Sequence, residues 1–164
     1  MNNIIALALK NSTLTLLIFG LIASLLSLIP KKPITKAVVT EALLRYFLIF
    51  SIGLSFLYNF IMHCIFGDYT AAFIGWAQSP FQFEVGMVSL GISITGFIAF
   101  RANYSFRAAT IIPPVVFLWG AAGGHIYQMV MQHNFAPGNA GTVFWTDVFI
   151  PIIALVLLRF SKTS

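Results

Sequence analysis

Charge is what this sequence has least of. Nine Lys or Arg and four Asp or Glu make up 8% of its 164 residues, against roughly 25% in an average soluble domain. So few charges cannot cover a globule of this size, and 17 Phe in a chain that is 59% apolar would leave large exposed patches in water. A soluble fold is excluded, and the solvent must be lipid. Cysteine is nearly absent: Cys64 stands alone, which excludes an internal disulfide and any multi-cysteine metal or iron–sulfur site. No Gly-x-Ser-x-Gly elbow, phosphate loop or dinucleotide fingerprint occurs. No period of 20 to 50 residues repeats, so neither a solenoid nor an inverted-repeat transporter is visible.

Long apolar runs are present instead. They predict a single all-α domain over residues 1–164, a bundle of about five transmembrane helices at about 12–30, 37–66, 80–101, 108–132 and 143–160. The first run lacks a basic start and a small-x-small site, so it reads as a span and not as a cleaved leader. Pro113-Pro114 should kink the fourth helix, and Pro151 the fifth. Residues 67–79 suit an interfacial or re-entrant segment, and Pro137-Gly138-Asn139 predicts a tight turn. These two loops read as caps on helix ends ahead of a lid.

Net charge is +5, but the bases are scattered between apolar runs, which argues for topology signals and headgroup contacts and against nucleic acid. Placing residues 31–45, the 101–107 turn and the C-terminus in the cytoplasm gathers eight of the nine bases there and leaves only Lys10 outside. The positive-inside rule then predicts the N-terminus out and the C-terminus in. Tyr46 and Tyr104 on one side, and Tyr69, Trp76 and Trp145 on the other, suit interfacial belts.

Within that frame His63, Glu84, His125 and Asp147 fall on four different helices, each within roughly 10 Å of the outer boundary at 1.5 Å per residue. Charge deep in lipid is costly, so such groups normally face one another or a wet cavity. Glu84, Gly91 and Thr95 share one face of the third helix, and Ala121, His125, Gln128 and Gln132 one face of the fourth; both are expected to look inward. Gly86, Gly91, Gly96 and the run Gly120 to Gly124 allow close approach of backbones. Glu41, Arg45, Asn59 and His63 form a stripe on the second helix, and Glu41 with Arg45 is spaced for a structural i, i+4 ion pair.

Ile74-Gly75-Trp76, then Ser79-Pro80-Phe81-Gln82-Phe83-Glu84-Val85-Gly86, Gly120 to His125, Asn134 to Gly141, and Asp147 together resemble a family of small prokaryotic multi-span membrane proteins known only as a domain of unknown function. The likeness covers residues 38–158. It implies a bacterial inner membrane and no established activity.

Several readings stand open. Glu84, His125, Asp147 and His63 suit a divalent metal by ligand type, although no His-x-x-x-His or Glu-x-x-His spacing occurs. They equally suit a structural polar network or a proton relay. The functional expectation is an outward-facing intramembrane pocket for a metal ion or a small or lipid-derived ligand. Glu84, His125 and Asp147 are its candidate catalytic groups, and Gln82, Gln128, Asn139 and Trp76 its ligand contacts. The alternatives are a small oligomeric ion- or proton-coupled transporter or channel subunit, and a non-catalytic accessory subunit. The partner expected in every case is the bilayer, with a homo-oligomer or a larger membrane complex left open.

Overall fold

The computed structural model describes residues 2–162; the outermost positions of the expected 1–164 domain lie outside the described residues. All regular structure among them is helical. Four helices are long and apolar enough to cross a membrane, five if a pair bent at a short break is counted as one span.

That pair is α1 (Asn2–Lys10) and α2 (Ser12–Leu28), which meet at 98°. Asn11 breaks the run: its backbone leaves helical geometry and its side-chain amide donates to the Leu7 carbonyl. Only Gly20 and Ser24 of α2 are buried, while Leu14, Ile18, Phe19, Leu21, Ile22, Leu25 and Leu26 point outward. A helix so apolar on its exposed side belongs against lipid. Pro30-Lys31-Lys32-Pro33 ends it, and the Thr35 hydroxyl caps α3 by accepting from the Val38 amide.

α3 (Lys36–Phe47) passes into a π-helical segment (Leu48–Leu54) and then α4 (Ser55–Cys64), one run of 29 residues. At 1.5 Å per residue it is about 43 Å long, more than the roughly 30 Å of a hydrocarbon core. A short helix, α5 (Gly67–Ile74), follows and ends at Gly75, whose φ of +76° is the left-handed cap that glycine adopts without strain. Then come α6 (Phe81–Ala99), α7 (Tyr104–Met131), the single turn α8 (Pro137–Ala140) and α9 (Thr142–Ser161). Pro113 and Pro114 lie inside an unbroken α7 and Pro151 inside α9.

α6 runs antiparallel to the long helix: Asn59 Nδ2 donates to Ser89 Oγ at 2.9 Å, Ser93 Oγ to the Gly53 carbonyl at 2.7 Å, and Arg45 Nε to the Phe100 carbonyl at 3.2 Å. The seam on α6 is Gly86, Ser89, Ser93 and Gly96, all buried. A methyl on Gly96 would lie 2.7 Å from the Gly53 amide nitrogen, and one on Gly86 would strike Cys64 Sγ.

This seam corrects the expected inward face of α6. Glu84 and Gly91 are exposed, and a side chain at Gly91 would meet nothing within 4 Å. The two faces start two residues apart, which is about 200° around a helix. Periodicity alone allows either to face in, and the small residues win because they let the backbones touch.

The apolar core of Leu44, Leu48, Ile52, Ile111 and Ile150 is almost fully buried. Beyond it, Arg107 locks one end of the bundle. Its guanidinium bridges both Glu41 oxygens at 2.6 and 2.9 Å and donates to the Ala99 and Phe100 carbonyls at 3.0 and 3.1 Å. The expected Glu41–Arg45 pair exists at a looser 3.8 Å, and Arg45 lies 4.3 Å from the Phe100 ring centre.

Candidate functional site

The other end of the bundle holds a cavity of about 820 Å³ walled by α1, the start of α2, the long helix from Ser51 onward, α5, the start of α6, α7 and α9. Most of its wall is apolar or aromatic, with Phe56, Phe66, Phe73, Phe117 and Leu118 prominent. His63, His125 and Asp147 all reach this wall, so three of the four titratable groups expected at one depth share a single cavity. Glu84 does not; it is exposed on the outer face of α6.

A network of neutral hydrogen bonds orients His125. Asn139, carried by the α8 turn, is fully buried. Its Nδ2 donates to the Asn134 carbonyl at 2.9 Å and the His125 carbonyl at 3.3 Å, which settles which way the amide points. Its Oδ1 therefore accepts twice, from Trp76 Nε1 at 2.9 Å and from His125 Nδ1 at 2.8 Å. His125 must carry a proton on Nδ1, and its Nε2 is left facing Asp147 Oδ2 at 3.4 Å. The Trp76 ring leans over the imidazole with centroids 5.5 Å apart, and Gly124 makes room for it.

The loops behave as clasps. Asn134 Nδ2 donates to the Ile74 and Gly75 carbonyls at the end of α5, while its Oδ1 accepts from the Ala136 amide. The expected turn at Pro137-Gly138-Asn139 is the first part of the α8 turn. A methyl on Gly138 would lie 2.6 Å from the Phe73 ring, so α5 and α8 press directly together.

The expected ligand contacts divide. Gln82 and Trp76 line the cavity, Gln82 bonded through Oε1 to His63 Nδ1. Gln128 is not on its wall, and neither is Asn139, whose amide is filled from within the protein. The metal set is not assembled: among the described residues no three His, Cys, Asp or Glu side chains lie together as ligands. His63 is turned to Gln82 and Glu84 points away, leaving only His125 with Asp147.

The chain belongs to the family of unknown function DUF6790. The match runs over residues 10–164, wider than the 38–158 expected, and takes in α2 as well. No curated protein and no solved structure matched the chain. In this DUF6790 member, two contributors to the cavity wall were not among the expected site residues. One is α1, whose Ala6, Leu9 and Lys10 close one side of the cavity, held there by the Tyr58 hydroxyl donating to the Leu9 carbonyl at 3.2 Å. The short apolar run of residues 4–9 ahead of Lys10 was its available signal. The other is Ser51, for which polarity within an apolar run was the only sign.

Proposed function

We propose that the cavity binds an amphiphile drawn from the bilayer, with the ligand's polar group at the His125–Asp147 pair and its apolar body against the aromatic wall. One observation carries this reading: a buried acid–base pair, oriented by Asn139, lies on the wall of an otherwise largely apolar cavity. Its volume is within the roughly 300–1,000 Å³ of small-molecule sites. A transport path would need polar groups through the far end, where Leu44, Leu48, Ile52 and Ile111 fill the interior and Arg107 ties three helices together. That favours a pocket open to one side.

The test is the lipid that stays with purified protein, quantified by mass spectrometry. His125→Ala or Asp147→Asn should lower it about tenfold, the worth of one good hydrogen bond to a polar head. Glu84→Gln, off the cavity, should leave it unchanged. Equal lipid content in all four proteins overturns the proposal.

The distribution of bases supports an orientation in which the cavity end faces outward from a bacterial inner membrane. In a Cys64→Ser background, an impermeant thiol reagent on intact cells should label Lys10→Cys and spare Lys162→Cys. The reverse pattern refutes it.

A further inference from the structure

Ser51 is the starting point. It is 1% exposed, it lies on the cavity wall, and its hydroxyl is the one buried side-chain oxygen or nitrogen among the described residues with no hydrogen-bond partner. Serines and threonines in apolar helices ordinarily return their hydroxyl to a backbone carbonyl three or four residues earlier. Ser24, Thr70, Ser89 and Thr146 do so here, and Ser93 donates to the Gly53 carbonyl across the seam. Ser51 lies in the middle of the π segment. There each turn takes in about one extra residue, which shifts the carbonyl that an α-helix would offer. π segments cost regular bonding and recur at functional sites. This one leaves a hydroxyl free on a cavity wall.

Position adds a second constraint. Ser51 is twelve residues before His63 on the same run of helix, roughly 18 Å along its axis. The cavity is therefore long, with His63 toward one end and the unbonded Ser51 hydroxyl well inside. A plain acyl chain would leave that hydroxyl bare.

Building on the amphiphile reading above, the geometry points to a ligand with two polar points: a head at the His125–Asp147 pair, and a hydroxyl or carbonyl oxygen along its apolar body that Ser51 bonds. Acyl lipids that carry an oxo or hydroxyl group partway along the chain have that chemistry.

Three probes separate the possibilities on the full chain in nanodiscs: octadecanoic acid, 12-oxooctadecanoic acid and 12-hydroxyoctadecanoic acid. Wild-type protein should bind an oxygenated probe about tenfold more tightly than octadecanoic acid, the worth of one neutral hydrogen bond. Ser51→Ala should erase that preference without changing octadecanoic acid affinity, and Ser51→Thr should restore it. A preference for the oxo acid alone assigns a carbonyl acceptor to Ser51, for the hydroxy acid alone a hydroxyl partner, and for both the shared chemistry. Equal binding of all probes, or a preference that survives Ser51→Ala, overturns the assignment and leaves Ser51 holding water only. If octadecanoic acid binding depends on His125 while Ser51→Ala changes nothing, the pocket stands and this inference falls. If no probe binds, both fall.

Discussion

Removing the Asn139 side chain tests the site's architecture most directly. In Asn139→Ala, Trp76 Nε1 and His125 Nδ1 lose the oxygen they share, and the Asn134 and His125 carbonyls lose a donor. A buried donor left without an acceptor costs about 1–3 kcal/mol, so the two N–H groups set a range of about 2–6 kcal/mol. The void is wide enough for a water to recover part of this, and about 3 kcal/mol is expected. Asn139→Asp is the sharper variant. It keeps an acceptor for both N–H groups but sets a carboxylate oxygen about where Nδ2 lies 2.9 Å from the Asn134 carbonyl, and a loss at least as large follows. The assay is equilibrium unfolding in mixed detergent micelles, followed by tryptophan fluorescence. Nitrogen NMR of the imidazole gives an independent reading, with His125 protonated on Nδ1 in wild type and released from that constraint in Asn139→Ala. A loss below about 1 kcal/mol, or a wild-type ring without a proton on Nδ1, refutes the reasoning.

Two further predictions concern the frame of the bundle. Arg107→Lys keeps the charge but loses the planar fork that meets Glu41 and two carbonyls at once, and should cost about 2 kcal/mol. Glu41 is half-exposed, so Glu41→Gln should cost nearer 1 kcal/mol. A double-mutant cycle with coupling below about 0.5 kcal/mol would show that the pair does not act as a unit. At the helix seam, Gly96→Ala pushes a methyl against the Gly53 backbone and should cost about 1–3 kcal/mol. Gly91→Ala enters open space and should stabilise by up to about 1 kcal/mol. The same sign in both would contradict the packing of α6 on the long helix.

The helical class and a count of four or five candidate spans were legible because lipid demands long apolar runs and leaves few alternatives. The neighbourhood of His63, His125 and Asp147 was legible too, since depth follows from counting residues along each span. Sidedness around a helix was not. Glu84 and Gly86 both lie on helically periodic faces, and only the partner helix decides which is buried. Arg107 was missed as the partner of Glu41 for a related reason: the two are 66 residues apart, and i, i+4 spacing can propose only the local candidate, Arg45. The π segment left no clear mark, because the seven residues Leu48 to Leu54 read as about two ordinary apolar helical turns. Asn139 was read as a ligand contact from its place beside the titratable groups; the same proximity made it the group that holds them.

The clamp at Arg107 has a mechanical consequence. It joins α3, α6 and α7 at one end through bonds that span side chains and backbone alike. At the other end, among the described residues, α1 is held by the Tyr58 hydroxyl on the Leu9 carbonyl and the Thr15 hydroxyl on the Ala8 carbonyl. A bundle so fastened behaves like tongs with a riveted pivot: strain spreads toward the free tips. The least fastened tip is α1, while the riveted end keeps α3, α6 and α7 in register.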